Sequence, residues 1–366
     1  MTAQKRIIFT VTNDLNFDQR MIRICRSMAA VGYAVTLIGR QSGKSQPLVG
    51  QPFAQQRIHC FFEKGFFFYA EYNLRLFFVL LFKKADLICA IDLDTILPCL
   101  FVSTLKGIKR VYDAHELFCE MKEIATRPVH YLIWKMIEKI SVPFFNHGYT
   151  VCRPIADEFQ KLYGKKYQVI RNLPYFNLPG PVNTSAQRFL IYQGAVNEGR
   201  SFETLIPAMK SVDSQLYIYG NGNYYHQTEA LIKKFQLELK VILKGKSFPD
   251  ELRVATPQAY AGITLFENNG QSNYLSLANR FFDYIMAGIP QVCVDYPAYR
   301  EINDQFEVAL LIPDVRTESI RKALNLLLSD SVLYERLKKN CELARNELNW
   351  QKEEKKLINF YQDIEK

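Results

Sequence analysis

The sequence predicts an α/β protein built from two doubly wound domains, and two observations predict it. Short apolar runs of strand length alternate with helical-period segments along almost all of the 366 residues. That alternation breaks once, in a Pro-, Gly- and Asn-rich stretch from Asn172 to Thr184, and then restarts. Alternating strands and helices imply a parallel sheet covered on both faces. A chain of this length with 48% hydrophobic residues suits two cores.

In the first half, strands are expected at 7–12, 35–39, 58–62, 87–91, 110–114, 149–152 and 168–171. Helices are expected near 18–31, 70–84, 95–106, 129–140 and 156–163, the first capped by Asp18. The most apolar stretch is 65–82, GFFFYAEYNLRLFFVLLF, interrupted by Glu71, Asn73 and Arg75. Its clean run 76–82 is well short of the ~20 residues a membrane span takes. It reads as a lead-in loop and a buried helix, or as a monotopic membrane contact.

In the second half, strands are expected at 189–193, 216–219, 241–244, 262–266, 291–294 and 309–312. Helices are expected near 202–210, 227–235, 249–260, 277–287 and 318–328, and 333–366 reads as helices interrupted near Trp350. The helix 277–287 organises this half. Ser276 stands at its N-cap, Leu277, Phe281 and Tyr284/Ile285 recur at helical spacing, and Gly288 and Pro290 end it. Its N-terminus offers amides and a dipole to an anion. Asp283 lies two turns in, on the face of Asn279 and Arg280. The domains are then 1–172, a linker 173–187, 188–348, and a last helix 349–366. A ligand crevice is expected at the carboxyl ends of the strands, between the domains.

The net charge of +9 is uneven. Residues 1–172 hold 24 Lys/Arg against 14 Asp/Glu, and residues 173–366 hold 22 against 23. The basic first half suits an anionic acceptor or an anionic membrane surface. No nucleic-acid motif accompanies it, so no nucleic-acid partner is expected. The eight cysteines are scattered without a C-x-x-C pair, and 1–6 leads straight into a strand with nothing resembling a signal peptide. A reduced cytoplasmic protein is expected. No His/Cys cluster has zinc spacing and no G-x-S-x-G elbow occurs.

Several turns carry candidate chemistry. In 193–200, QGAVNEGR, Gly194 lets backbone approach a phosphate and Arg200 supplies a cation. Gly220-Asn221-Gly222 and Lys244-Gly245-Lys246-Ser247 end the next two strands. In the first half, Asp113-Ala114-His115-Glu116 brings a histidine to a strand end. Asp92-Leu93-Asp94 spells D-x-D but reads as loop and helix-capping acids, and no metal is expected there.

The segment FFDYIMAGIPQV resembles the donor-binding segment of GT-B glycosyltransferases, especially glycosyltransferase family 4. The resemblance implies a GT-B fold and sugar transfer from a nucleotide sugar to a saccharide or lipid-linked acceptor in cell-surface polysaccharide synthesis. It implies retention of configuration, with no metal or other cofactor. Asp283 falls where the family's second glutamate holds the ribose; the first falls on Leu275, with Glu267 nearby as a substitute. Arg200 is implied as the diphosphate grip, beside Gly194, Gly220 and the Ser276, Leu277, Ala278 and Asn279 amides, with Lys246 at the base. His115, Arg200 and Glu267 are the implied catalytic groups, and Asn13, Asp14 and Asn16 the acceptor loop. Ala195 replaces a second family cation. The same architecture also serves nucleotide-sugar 2-epimerases, and Leu275 and Ala195 suit a catalytically silent partner protein. The place expected is the cytoplasm, peripheral on the inner face of the membrane.

Overall fold

A computed structural model describes residues 4–43, 45–178 and 188–366; the 179–187 part of the expected linker lies outside the described residues. The chain divides into two compact units, one of Met1–Asn172 with Glu354–Lys366, the other of Leu173–Glu353.

The first unit holds a seven-stranded sheet: β1 (Arg6–Thr10), β2 (Ala34–Gln41), β3 (Ala54–His59), β4 (Leu87–Ile91), β5 (Lys109–Ala114), β6 (His147–Thr150) and β7 (Gln168–Val169). Their order is β3-β2-β1-β4-β5-β6-β7, and every pairing is parallel. The chain winds outward from β1 to β3, then returns to β4 on the other side. The ends of β1 and β4 therefore form a topological switch point. Right-handed crossovers put the helix Gln19–Ala30 on one face of the sheet. They put the helices Gly65–Phe82, Ile96–Lys106 and Pro128–Ser141 on the other. Asp18 caps the first of these, its Oδ1 accepting from Met21 N at 3.1 Å. The last helix, Trp350–Glu365, adds Tyr361 to this core, edge-on to Phe9 and Tyr149. Each such buried side chain contributes about 1.5–3 kcal/mol.

The second unit repeats the winding with six strands: β8 (Phe189–Gln193), β9 (Gln215–Tyr219), β10 (Val241–Gly245), β11 (Ala261–Thr264), β12 (Gln291–Val294) and β13 (Ala309–Ile312). Their order is β10-β9-β8-β11-β12-β13, again all parallel. All eight cysteines are free and buried.

Several elements differ from expectation for identifiable reasons. β3 begins at Ala54 instead of residue 58, because AQQRIH is a half-exposed edge strand that apolarity does not mark. Phe61 and Phe62, which suggested the later strand, are 78% and 50% exposed. The helix expected from residue 70 begins at Gly65, so there is no lead-in loop. The helix Pro297–Phe306 was not expected, although Pro297 at its first turn and Ala298, Tyr299 and Ile302 on its buried side are a legible start and stripe. The helix expected at 277–287 begins at Asn279 with Ala278 as N-cap, behind a separate turn of helix, Gln271–Leu275. Ser276 does not cap it; its hydroxyl donates to Asn273 O at 3.2 Å. Asp283 is thus one turn into the helix, not two.

Candidate functional site

In the second unit, β8 delivers Gln193 to the switch point beside β11. The Gln193 amide donates through Nε2 to Asp283 Oδ2 at 2.8 Å and accepts at Oε1 from Thr256 Oγ1 at 2.7 Å. Thr256 thereby fixes which end of the amide faces the carboxylate. The helix Asn279–Ala287 comes close because Gly262 in β11 has no side chain. A Cβ there would lie 2.3 Å from the Tyr284 ring. The Tyr284 hydroxyl donates to Ile191 O at 3.2 Å and accepts from Gln193 N at 3.2 Å, locking helix to strand.

One turn before Tyr284 stands Arg280, which the sequence reading placed beside Asp283 without a role of its own. It is 8% exposed. Its Nη1 donates to Gln193 O at 3.2 Å, and its guanidinium carbon lies 4.3 Å from the Tyr192 ring centre and 4.9 Å from that of Phe266. Burial works to lower its pKa, but the phenols of Tyr192 and Tyr284 outweigh that and raise it, so it stays charged. Among the described residues no carboxylate pairs with it. A buried charge without a counter-ion costs several kcal/mol, and this one sits against a glycine turn: a Cβ on Gly194 (φ +126°) would lie 3.5 Å from Arg280 Nη1.

Arg200 reaches the same ring, its guanidinium carbon 4.3 Å from the Phe266 centre. Its Nη1 donates to Asn273 Oδ1 at 3.2 Å, Asn273 donates to Asn269 Oδ1 at 2.8 Å, and Asn269 donates to Glu267 Oε2 at 3.0 Å. Glu267 N closes the circuit on Gly199 O at 3.0 Å. Arg200 and Glu267 therefore belong to one amide-bridged network. Gly194 N donates to Tyr219 O at 2.9 Å and Gly220 N to Gly245 O at 2.7 Å, stacking the ends of β8, β9 and β10. A Cβ on Gly220 (φ +154°) would lie 1.8 Å from Gly194 O, so only glycine allows that crossing. Lys246 follows as an exposed residue.

Two of the amides expected to meet an anion are engaged internally: Ser276 N donates to Ser272 O at 3.0 Å and Ala278 N to Tyr299 Oη at 3.0 Å. Leu277, between them, is buried, and Asn279 opens the helix.

In the first unit, the switch point gathers a different set. His115 N donates to Asp92 Oδ1 at 2.8 Å, while its ring places Nδ1 3.4 Å from Asp92 Oδ2 and Nε2 3.1 Å from Asp113 Oδ2. Arg20 pairs with Asp113 at 3.0 Å and donates twice to Ile170 O at 3.2 Å. Burial pushes the His115 pKa down, but Asp113 and Asp92 outweigh it and raise it to about 9. The ring is therefore an imidazolium at neutral pH, Nε2 donating to Asp113 and Nδ1 facing Asp92 as an ion pair. Arg20 Nε also lies 3.0 Å from His115 Nε2, a distance that would be a hydrogen bond only to a bare nitrogen. With the ring charged, Arg20 Nε turns to Asp113 Oδ2, 3.4 Å away. Both ring nitrogens of the expected catalytic histidine are thus turned inward.

The D-x-D acids do not cap a helix, as expected from sequence. Asp92 holds His115 from a strained backbone, φ +52° and ψ 179°. Asp94 accepts from Thr12 Oγ1. Burial raises both carboxyls to about 6, against the pull of His115. Among the described residues no three His, Cys, Asp or Glu side chains converge as metal ligands.

The expected acceptor residues are engaged within the first unit, with the helix cap, with β3 and with the chain between β2 and β3. Asn13 donates to Asp18 at 2.9 Å, Asp14 accepts from Arg57 at 2.6 Å, and Asn16 donates to Pro47 O at 2.8 Å and accepts from Val49 N at 3.1 Å.

Residues 181–343 match the family model described as glycosyl transferases group 1. Among solved structures, the sucrose-phosphate synthase of Thermosynechococcus elongatus matches with a TM-score of 0.84 at 15% identity, covering 99% of this chain and 99% of its own. HepE of Anabaena, solved in complex with UDP and glucose, matches at 0.77 and 11% identity over 98% of this chain and 100% of its own. WaaG, a glycosyltransferase involved in lipopolysaccharide biosynthesis, matches at 0.72 and 15% identity over 96% and 98%. No curated protein matches the sequence. The fold is GT-B, with two Rossmann-like domains.

Proposed function

We propose that this chain, of GT-B fold and matched over residues 181–343 by the family model described as glycosyl transferases group 1, is a glycosyltransferase that takes a nucleotide sugar at the second switch point and transfers the sugar to a saccharide or lipid-linked acceptor. The observation that carries the donor assignment is Arg280, a buried guanidinium beside a glycine turn with no carboxylate partner among the described residues. A diphosphate supplies the missing charge. Arg200, on the same phenyl ring, meets the other end of that anion. Asp283, oriented by Gln193, accepts the ribose hydroxyls.

The chemistry is electrostatic. Charge builds on the leaving diphosphate as the glycosidic bond breaks, and cations already in place stabilise it without reorganising. Two fixed guanidinium groups take the part a divalent metal plays elsewhere, so transfer proceeds without one. Retention of configuration and a role in cell-surface polysaccharide synthesis complete the reading. An epimerase would need more acid/base groups than a transferase, and of those the sequence offers, His115 has both ring nitrogens against aspartates and Glu267 is hydrogen-bonded to Asn269.

The test is thermal shift and calorimetry with UDP-, GDP-, ADP- and dTDP-sugars, followed by sugar release with and without EDTA. A matching donor at 100 times its Kd stabilises the folded chain by about 2.7 kcal/mol. Release that survives EDTA supports the metal-free mechanism. No shift with any donor or nucleoside diphosphate overturns the donor assignment and leaves a silent partner protein.

A further inference from the structure

The helix Gly65–Phe82 is apolar on two faces. Phe68, Tyr72, Leu76 and Leu80, four residues apart, are buried in the first unit. Leu74, Phe78 and Phe82, also four apart, are 60%, 49% and 83% exposed, and Phe66 and Phe67 join them at the start of the helix. A surface helix normally turns charged and polar residues outward. The next helix on this face, Ile96–Lys106, is tied to it by Lys106 Nζ donating to Leu80 O at 2.8 Å, and exposes Phe101 and Leu105. The third, Pro128–Ser141, meets the first through Tyr69 and Trp134, ring centres 5.2 Å apart. It exposes Val129, Leu132, Met136 and Ile140 at helical spacing. The three helices thus all present exposed apolar side chains on this face, and exposed apolar surface gathered in one place marks a protein or membrane contact.

The charges around it have one sign in excess. Lys64, Lys84, Arg127 and Lys139 are exposed at its margins, and none forms an ion pair among the described residues. The acids on the helices are spent: Glu71 pairs with Arg75 and Glu138 with Lys135. Glu63 and Glu123 are the exposed acids at the edges. A second copy of the chain docked on this face about a two-fold axis would set the same cations against each other. An anionic lipid surface complements them.

We propose that the first unit seats on an anionic bilayer through this three-helix face, the outward Phe and Leu side chains entering the headgroup–acyl boundary and the four cations meeting lipid phosphates. The helix Gly65–Phe82 lies in the plane of the interface. It does not span, because its inner stripe belongs to the core of the unit. The proposal does not depend on the nucleotide-sugar assignment, which lies in the other unit.

The experiment is co-sedimentation of the full chain with vesicles of phosphatidylcholine alone or mixed with phosphatidylglycerol, at low and high salt. The test variant is Phe78→Ser/Phe82→Ser/Leu132→Ser, all three positions being exposed. The control is Leu239→Ser, 89% exposed in the second unit. The expected result is binding to the anionic vesicles, weakened by salt, reduced about tenfold or more in the triple variant and unchanged in the control. Circular dichroism and light scattering accompany it. Negligible sedimentation with both vesicle types at low salt overturns the proposal. So does equal binding by a folded triple variant, or a self-association that the triple variant abolishes while vesicles bind neither form.

Discussion

The two units share one winding order, yet their switch points treat charge in opposite ways. At the ends of β1, β4 and β5, Arg20, His115, Asp92 and Asp113 neutralise one another. At the ends of β8 and β11, Arg280 is also buried and among the described residues meets a carbonyl, the Tyr192 phenol and aromatic faces, but no carboxylate. The first arrangement is complete in itself. The second has no carboxylate partner among the described residues, and that asymmetry is the ground on which the proposed anion is placed in the second unit. Identical topology supplies the place; the balance of side chains decides what the place binds.

Removing the unbalanced charge is the sharpest way to break the comparison. Arg280→Met keeps the length and the packing on Tyr192 and Phe266 but loses charge and donors. Nucleoside diphosphate binding weakens by about 1.5–3 kcal/mol, the worth of a hydrogen bond to a charged group. The melting temperature of the ligand-free protein does not fall, because replacing a buried charge by an apolar group of similar volume is often neutral or stabilising. Calorimetry and a melting curve on the same sample check both halves. Unchanged binding, or a large loss of stability, makes Arg280 a structural cation. The matching substitution in the first unit, Arg20→Met, strands Asp113 and His115 and costs stability, about 3–5 kcal/mol for one partner of a buried pair. Arg200→Ala, which leaves Arg280 in place, weakens diphosphate binding toward the lower end of that range.

Asp283 separates the parts of the proposed donor. Asp283→Asn still accepts from Gln193 but has one acceptor oxygen fewer for ribose. Nucleoside diphosphate affinity drops by about 1–2 kcal/mol, while inorganic pyrophosphate binds as before. Equal losses for both ligands would place Asp283 in the anion subsite instead.

The contrast between the units also explains what the sequence could and could not disclose. Local punctuation was legible: the strand ends at Gln193 and Tyr219, the glycines after them, and the helix stop at Gly288 all follow from backbone rules acting over a few residues. Arg280 was visible only as a neighbour of Asp283. Its burial is set by Gly262, eighteen positions earlier, and by ring faces from β8 and the end of β11. The His115 clamp was illegible for the same reason, since Arg20 and Asp113 meet 93 positions apart through the sheet order. Edge strand β3 and the helix Pro297–Phe306 were lost because their apolar signal is weak. The outward apolar faces of three helices could not be told from core by periodicity, because a residue's exposure depends on what is packed against it.

The smallest effect tests the balanced switch point through pH. His115 titrates at about 9 in the folded unit and near ~6.5 when unfolded. The folded state therefore binds the proton more tightly, and the stabilisation is fully present below pH ~6.5 and is lost as pH rises through about 9. Asp92 and Asp94 titrate about pH 6, so the upper part of the window, toward 9, belongs to the histidine. The ring keeps 22% exposure, which screens part of the shift, and the loss across the window is on the order of 2 kcal/mol. Urea unfolding of wild type and His115→Gln at matched pH values reads it, with the upward shift that Asp92 and Asp94 undergo on losing the pull of His115 included in the difference. The gap between the two proteins should narrow steadily from pH 6.5 to 9. A gap independent of pH would mean that His115 is neutral in the fold, with Nε2 accepting from Arg20, and the first switch point would then carry one positive charge fewer than the comparison requires.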